Sequence, residues 1–585
     1  MPGLVTKSKA TTNGILADRV GDGTAAGHKL LIEPSVFNMT ILLPPSLTFL
    51  QHLKDIVPQT SNIPMSTLTS FLDDFLINVF QPQLDETVTD LCTATIFDVE
   101  AFTEDSSWKK HSPHPVFKGT VGFMSLIHAF AAMLSEIPQD QMFVQPVINQ
   151  LIEYYGRCFN FYKNIVSRVS QASQAGIHTT ILKAAAGYAE EGEIREAVLS
   201  LWTDNGSDPA ARLDLTKKEV QLMIAASKAN PIQAYDIISD RKSVHQLSLV
   251  YNSMQWLAAA LTQIRHVEPS SKSHSRNTSL TGQHNQRRWT LITKVNTGAP
   301  ASSEHKHAYL PLTSETLVPF DETLSSYRDL ATRALLTLHL DIRCGIIHQL
   351  GRVLRPPGAE PPANPASPST PATRESTPPP LDSGVYPFVL TDPPTSASPL
   401  VLELNNDLID FEASISCYLG HKERRFILTG LGRLVDSYLV VGADFIGVMN
   451  RHGAEKMRVD SLVIQQVLRG LGISAKSSTG TEGEIGAVGL GLHDNTRPDA
   501  DADDALLTSS SAYYELFLQG PEAIMEYVKD KKPRAEVAYS YDELRTLVEL
   551  CFSASLKGED REEGLKARKK MGDLLLALGE VMWDS

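Results

Sequence analysis

Cysteine is scarce in this chain of 585 residues: Cys92, Cys158, Cys344, Cys417 and Cys551 are the whole complement. The count is odd and no two are close, which excludes a CxxC redox pair, a zinc-finger spacing and a disulfide scaffold. Met1 to Gly27 is rich in Gly, Ala and Thr and lacks the apolar stretch of a secretory signal. The two features together read as a reducing, cytosolic compartment. The tripeptides beginning at Asn38, Asn205 and Asn277 fit a glycosylation pattern, and in that compartment they are accidental. Long apolar runs are also wanting. Val121 to Leu134 has 14 residues and suits a buried helix, since spanning a bilayer takes ~20. Ser437 to Ala443 is closed by Asp436 and Asp444. Nor is there a cationic excess: net charge is −15 and the isoelectric point about 5.6. That argues against sequence-independent binding to nucleic acid, which needs a basic footprint.

Catalytic signatures are missing in the same way. A phosphate-cradling loop needs glycines at fixed offsets, and there is no GxxxxGK[ST]. Gly483, Gly486, Gly489 and Gly491 follow no strand and do not make GxGxxG. A catalytic zinc needs histidines on one helix face, and His111/His114 and His305/His307 are loop pairs without a third ligand. Asp499, Asp501 and Asp503 alternate like a calcium loop, but its sixth and twelfth positions are Asp504 and Ser510 instead of Gly and Glu. No GxSxG elbow occurs. Cys417 and Cys551 fall near apolar stripes and read as inert core residues. His128 and His339 fall within helical patterns and read as buried, satisfied histidines. No catalytic, cofactor-binding or metal-binding residue is assigned, and no cofactor is expected.

What is present is helix. Hydrophobic residues make up 42% and charged residues 21%, ordinary for a globular protein, and roughly four domains would fit at ~150 residues each. Leu404, Leu408, Phe411, Ile415 and Leu419 step by four, three, four and four, one face of an amphipathic helix. Leu335, Leu338, Ile342, Ile346, Leu350 and Val353 repeat the step. So do Phe426, Leu431, Leu434, Tyr438, Val441 and Phe445, and so do Met571, Leu574, Leu578 and Met582. Thr429 to Gly432 sits within the third stripe, where its glycines suit close helix packing. Pro44-Pro45-Ser46 predicts a helix start before Leu47 to Ile56, and Asp214 or Thr216 predicts a cap for a helix through Ile224. Strand signals are confined to Phe37 to Leu43 and Trp289 to Val295. Short helices joined by polar turns predict an all-α fold of packed antiparallel bundles.

Polar stretches divide those helices. Fourteen of 34 prolines lie between Pro356 and Pro399. Proline fixes φ and removes a donor, so this stretch is disordered or a polyproline spacer, with Pro365 to Pro368 a PxxP-like docking piece. His266 to Leu310 carries six Lys/Arg against two Glu, and Gly472 to Asp504 carries two against seven Asp/Glu. Both lack bulk and period and read as disordered. The expected organisation is a disordered tail over 1–27, helical bundle over 28–265 and a basic linker over 266–312. A second bundle region follows over 313–470 with a Pro-rich insertion at 355–398, then an acidic insertion over 471–509 and a C-terminal bundle over 510–585. Two basic groups stand out: Lys422, Arg424 and Arg425, and Lys566, Arg568, Lys569 and Lys570. They read as solvated helix faces or as contacts for anionic lipid at ~1 kcal/mol per charge. Arg276 to Ser279 has the look of a basophilic kinase site.

The segment RDLATRALLTLHLDIRCGIIHQL (Arg328 to Leu350), with PLVLELNNDLIDFEASISCYLGHKERRFILTGLGRLVDSYLVVGADFI (Pro399 to Ile446) and MRVDSLVIQQVLRGL after it, resembles the C-terminal region of the Sec-eight subunit of the exocyst. The resemblance implies a rod of consecutive helical bundles, as in multisubunit tethering complexes. It also implies a non-catalytic part in holding secretory vesicles at the plasma membrane before SNARE-mediated fusion. The implied partners are the other exocyst subunits, with SNAREs, small GTPases and weak anionic-membrane contact beyond them, and no nucleic acid. The implied location is cytoplasmic, peripheral at plasma membrane and vesicles. The long N-terminal helices of such a subunit are not seen, so the chain reads as its C-terminal part. A subunit of a Golgi or endosomal tether and a peripheral lipid-binding module are the alternatives.

Overall fold

The computed structural model describes residues 35–56, 70, 72, 74–134, 143–169, 180–204, 209–238, 240–267, 309–356, 386–477, 506–532, 537–558 and 561–583. It divides into two units. One comprises Met1–Val88, Met133–Phe143 and Lys272–His305; the other comprises Thr89–Ala132, Val144–Ser271 and Lys306–Ser585.

In the first unit, helix α1 (Met39–Ile56) follows a 3-10 turn at Val36–Asn38 that Ser35 caps by accepting the amide of Phe37. The apolar run Phe37 to Leu43 is therefore helical, not extended. Pro44 and Pro45 lie inside α1, so they do not mark its start. Both prolines are exposed, as is Ile41, and water can serve carbonyls that lose their amide donors. A π turn at Leu76–Phe80 buries Phe80, which packs edge-on against Phe143 at 5.5 Å. Helix α2 (Gln81–Ile96) continues from that turn, its residues to Val88 counted in this unit and the rest in the other.

Among its described residues the second unit is α-helical apart from two minimal strand pairings. Its helices are α3 (Lys118–Leu134), α4 (Gln145–Val166), α5 (Ala184–Glu190), α6 (Glu193–Thr203), α7 (Pro209–Ala229) and α8 (Arg241–Ile264), followed by α9 (Ser314–Leu354), α10 (Pro399–Ser416), α11 (His421–Leu428) and α12 (Leu431–Val441). The chain ends with α13 (Arg451–Ser477), α14 (Thr508–Gln519), α15 (Pro521–Lys531), α16 (Tyr541–Lys557) and α17 (Arg561–Trp583). Ser167–Val169 pairs antiparallel with Thr180–Leu182, and Arg265–Val267 pairs parallel with Leu310–Leu312.

Helix α9 is the axis of this unit. It packs against α4, α5, α8, α10 and α12, and nearly every residue from Tyr327 to Leu354 is buried or half-buried. The stripe Leu335 to Val353 supplies one face. The opposite face is closed by hydroxyl bridges, Tyr162 to Thr337 at 2.8 Å, and the Tyr327 hydroxyl donates to the Leu151 carbonyl at 2.7 Å. Each fully buried aliphatic side chain on such a helix contributes roughly 1.5–3 kcal/mol. Near the C-terminus, Ser540 and Glu543 form a reciprocal capping box that starts α16, and α16 packs along α17. Within α17, Leu578 is buried while Met571, Leu574 and Met582 are half-buried.

Several local expectations are corrected. Helix α7 starts at Pro209, so Asp214 and Thr216 are interior, and the Thr216 hydroxyl donates to the Arg212 carbonyl. The stripe from Phe426 to Phe445 is two helices and a 3-10 turn, broken at Gly430 (φ +85°). At the edges of the expected insertions the chain is more regular than composition suggested. Phe388 bridges Met449, α13 runs on to Ser477, and the Asp436 carboxylate accepts the Ser510 amide at 2.7 Å. The tail 1–27, Trp289 to Val295, Pro365 to Pro368 and the Gly- and Asp-rich part of the acidic insertion lie outside the described residues.

Candidate functional site

The chemistry-bearing residues of the second unit converge where α7, α9 and the α11–α12 turn meet. The segment LHLDIR of α9 places His339 and Arg343 four residues apart, on one face. Glu219 of α7 lies opposite. His339 Nε2 is 2.7 Å from Glu219 Oε1, and Arg343 Nε is 2.6 Å from the same oxygen. Arg343 then donates through Nη1 to the carbonyls of His339 and Ile427 at 2.8 and 2.9 Å, and through Nη2 to Thr429 at 2.6 Å. Ile427 and Thr429 are at the C-terminal end of α11, whose last carbonyls have no intrahelical donor. A buried cation satisfies them and complements the negative end of the helix dipole.

The three side chains are no more than 2% exposed. Arg343, foremost, and His339 hold the Glu219 carboxyl down at about 2 against the cost of burial. Burial, with Arg343 nearby, lowers His339 to about 4, so the ring is neutral at physiological pH. An ionised carboxylate only accepts, so Nε2 carries the proton. The ring stacks on Phe426 at 4.2 Å, Phe426 meets Trp202 at 5.1 Å, and Lys422 lies 4.6 Å from the Trp202 ring centre. A continuous stack thus joins the basic group at α11 to the buried cluster.

Asp341 points away from that face. It accepts the Ile238 amide at 2.9 Å, and burial raises its carboxyl to about 7. Neither Asp341 nor the Glu219 cluster offers a reactive atom to solvent. The cluster fixes the α11–α12 turn and joins distant segments; it does not have the exposure of an acid–base site.

The residues singled out from sequence scatter. His339 is buried as expected, whereas His128 is exposed: the apolar stripe of α3 runs through Phe123, Met124, Ile127 and Phe130, and position 128 falls off it. Cys551 is half-buried and its thiol is pushed up to about 12 by burial, but Cys417 is exposed because it follows the last turn of α10. Lys570 pairs with Glu522 at 2.6 Å. Arg424 lies 4.0 Å from Glu412. His305, His307, Arg276 to Ser279 and Asp499 to Asp503 lie outside the described residues. Among the described residues no three His, Cys, Asp or Glu side chains gather as metal ligands. His421–Phe445 is long and apolar enough to cross a membrane by length and composition; it is broken at Gly430, and its apolar residues, Ile427 and Leu434 among them, are core.

A second feature is a groove of about 990 Å³ between the ends of α7, α9 and α12 and the start of α10. Lys228, His348, Arg352, Arg355 and Lys456 line it, with no Asp or Glu among the described lining residues.

The family model described as "Exocyst complex component Sec8 C-terminal" matches residues 1–47. The "Probable exocyst complex component sec8" of Neurospora crassa is 35% identical over 99% of this chain and 50% of its own length. The mouse "Exocyst complex component 4" is 23% identical over 77% of this chain and 42% of its own. The chain thus spans about half the length of the curated relatives it matches. A crystal structure of the C-terminal domain of the exocyst subunit Sec6p aligns over 89% of this chain at 11% identity, with a TM-score of 0.33. Near-complete coverage of this chain at 35% identity decides the question of kinship: the chain belongs to the Sec8 family of exocyst components.

Proposed function

We propose that this chain is a non-catalytic scaffold of the exocyst tethering complex, holding secretory vesicles at the plasma membrane before SNARE-mediated fusion. The observation that carries the reading is the 35% identity to a relative named as an exocyst component, over 99% of this chain. The geometry agrees with it. The Glu219–His339–Arg343 cluster is sealed in the core and spends its hydrogen bonds on fixing a turn. Its partners are the other exocyst subunits; SNAREs and small GTPases belong to the same proposal. Its place is the cytoplasm, peripheral at plasma membrane and vesicles. The domain organisation read from sequence, helical bundles separated by polar insertions, is part of the same proposal.

Affinity capture of this protein from its own cells at mild salt tests it. Recovery of the other exocyst subunits is the expected result. Recovery of a Golgi or endosomal tether in their place would assign it elsewhere, and recovery of no tether would end the reading. Contact of Lys566, Arg568 and Lys569 with anionic lipid is a lesser proposal, supported by their exposure on α17 beside exposed Leu565. Flotation with anionic and neutral vesicles checks it, and charge reversal at these three that leaves flotation unchanged removes it.

A further inference from the structure

The chain carries a net charge of −15, yet the groove at the ends of α7, α9 and α12 reverses that sign. Lys228, Arg352, Arg355 and Lys456 line it, and His348 joins them. The His348 ring contacts the Ile232 carbonyl through Nδ1 at 3.0 Å, and a carbonyl only accepts, so this nitrogen donates and Nε2 is left for another partner. Arg352 is held by Glu403 at 3.3 Å. Among the described residues Lys228, Arg355 and Lys456 make no ion pair. Arg355 is instead stacked on the Phe445 ring at 4.2 Å, which holds its guanidinium in place. The first turn of α10 reaches the same groove through Ser398, Pro399 and Leu400, but its amide end is already answered by Asp460, which accepts from the Ser398 amide and hydroxyl at 2.6 Å, so the cations and not the helix end carry the attraction. A concave site with fixed cations and no lining carboxylate concentrates an anionic partner.

The occupant is written in the chain. Pro356 and Pro387 both line the groove, so residues 357–385 leave from it and return to it. Those 29 residues hold Glu360, Glu375 and Asp382 against one cation, Arg374, and three hydroxyl residues each followed by proline: Ser367, Thr370 and Thr377. We propose that phosphate placed on these Ser/Thr-Pro sites seats the segment 357–385 in the Lys228–Arg355–Lys456 groove of its own chain. The modification takes the γ-phosphoryl group of ATP onto the side-chain oxygen through a proline-directed kinase, releasing ADP and the hydroxyl proton. Each phosphate adds about −1.5 to −2 charge and three acceptor oxygens, which guanidinium and ammonium groups bind best. Reach is no obstacle: eleven residues separate Pro356 from Ser367, up to ~36 Å at ~3.3 Å per residue. Tethering at both ends gives an effective concentration of order millimolar.

The experiment uses the full chain, treated with a proline-directed kinase and ATP, with site occupancy read by mass spectrometry. Arg374 is the one tryptic site within 357–385, so the rate of cleavage there reports seating. Phosphorylation is expected to slow that cleavage by at least ~5-fold in the wild type and by less than ~2-fold in Lys228→Glu/Arg355→Glu. The variant Ser367→Ala/Thr370→Ala/Thr377→Ala should show no slowing. Equal slowing in the wild type and the charge-reversed variant would mean that phosphate merely blocks the protease, and would overturn the proposal. So would no slowing at all, or slowing that grows with protein concentration, which would place the segment in a second copy. Should the double variant lose its helical circular dichroism, Lys228→Glu alone, at an exposed position, must still reduce the slowing by at least half, or the proposal fails.

Discussion

Arg343 and Glu219 meet at 2.6 Å with their side chains 2% and 1% exposed. Taking both charges out of water costs several kcal/mol per ion, and the pair recovers this only because three further N–H donors of Arg343 find carbonyls, at His339, Ile427 and Thr429. Removing one partner strands the other. Glu219→Gln and Arg343→Met are each expected to destabilise the chain by about 3–5 kcal/mol. Replacing both at once by apolar residues of similar volume should cost less than the sum of the two. Urea midpoints at pH 7 measure this, and a double variant that costs the full sum would mean that the two residues act independently.

Stability against pH follows from the opposed positions of His339 and Asp341. The folded His339 titrates at about 4, below its ordinary 6.5. Between those values the unfolded chain binds the extra proton, so stability falls as pH drops from ~6.5 towards ~4. The folded Asp341 titrates at about 7, above its ordinary 3.8. There the folded chain holds the extra proton, so stability falls as pH rises from ~3.8 towards ~7. Each contribution is on the order of 3 kcal/mol and the two slopes have opposite sign. Between pH 4.5 and 6.5, roughly, Asp341→Asn is expected to gain stability with rising pH more steeply than the wild type, and His339→Gln to lose it. Thermal melts across that range read both, and variants with unchanged slopes would dissociate these residues from the pH response.

Gly430 closes α11 in a left-handed conformation (φ +85°), and a Cβ there would lie 2.7 Å from Thr216 Cγ2. Gly430→Ala therefore meets two penalties, the backbone strain that a non-glycine residue carries at positive φ and a steric overlap with α7. A loss of about 1–3 kcal/mol is expected. Thr216→Ser removes the colliding methyl and should restore only the steric part. Denaturant midpoints of the single and double variants separate the two, and full restoration would show that strain contributes nothing.

How far this was legible in the sequence depends on the range of the cause. The stripes at Leu335 to Val353 and Leu404 to Leu419 are local, and both became buried faces of α9 and α10. The break at Gly430 shows in the sequence only as a step of five from Phe426 to Leu431 in a stripe that otherwise steps by three and four, and the glycine dihedral then separates two helices. His339 was read as a satisfied core histidine; it is buried and its Nε2 meets Glu219, but its Nδ1 has no hydrogen-bond partner among the described residues. Its partner Glu219 lies 120 residues away, and nothing local marks a glutamate in α7 as buried. The groove is invisible for the same reason, since Lys228, Arg355 and Lys456 come from three separate helices and meet only in the fold.

The cysteines give the most direct check on that packing. Cys92, Cys158 and Cys344 are buried, and burial pushes the first two thiols up to about 12. Cys417 is exposed and its Sγ donates to the Ala413 carbonyl at 3.2 Å, leaving the sulfur open to solvent. A maleimide reagent at neutral pH should therefore label Cys417 first in the folded chain and reach the buried three only on unfolding, because attack requires an accessible thiolate. Peptide mapping after brief labelling measures the order. Early modification of Cys344 would contradict a buried α9, because this cysteine directly follows Arg343. With α9 displaced, the guanidinium could no longer cap the last turn of α11.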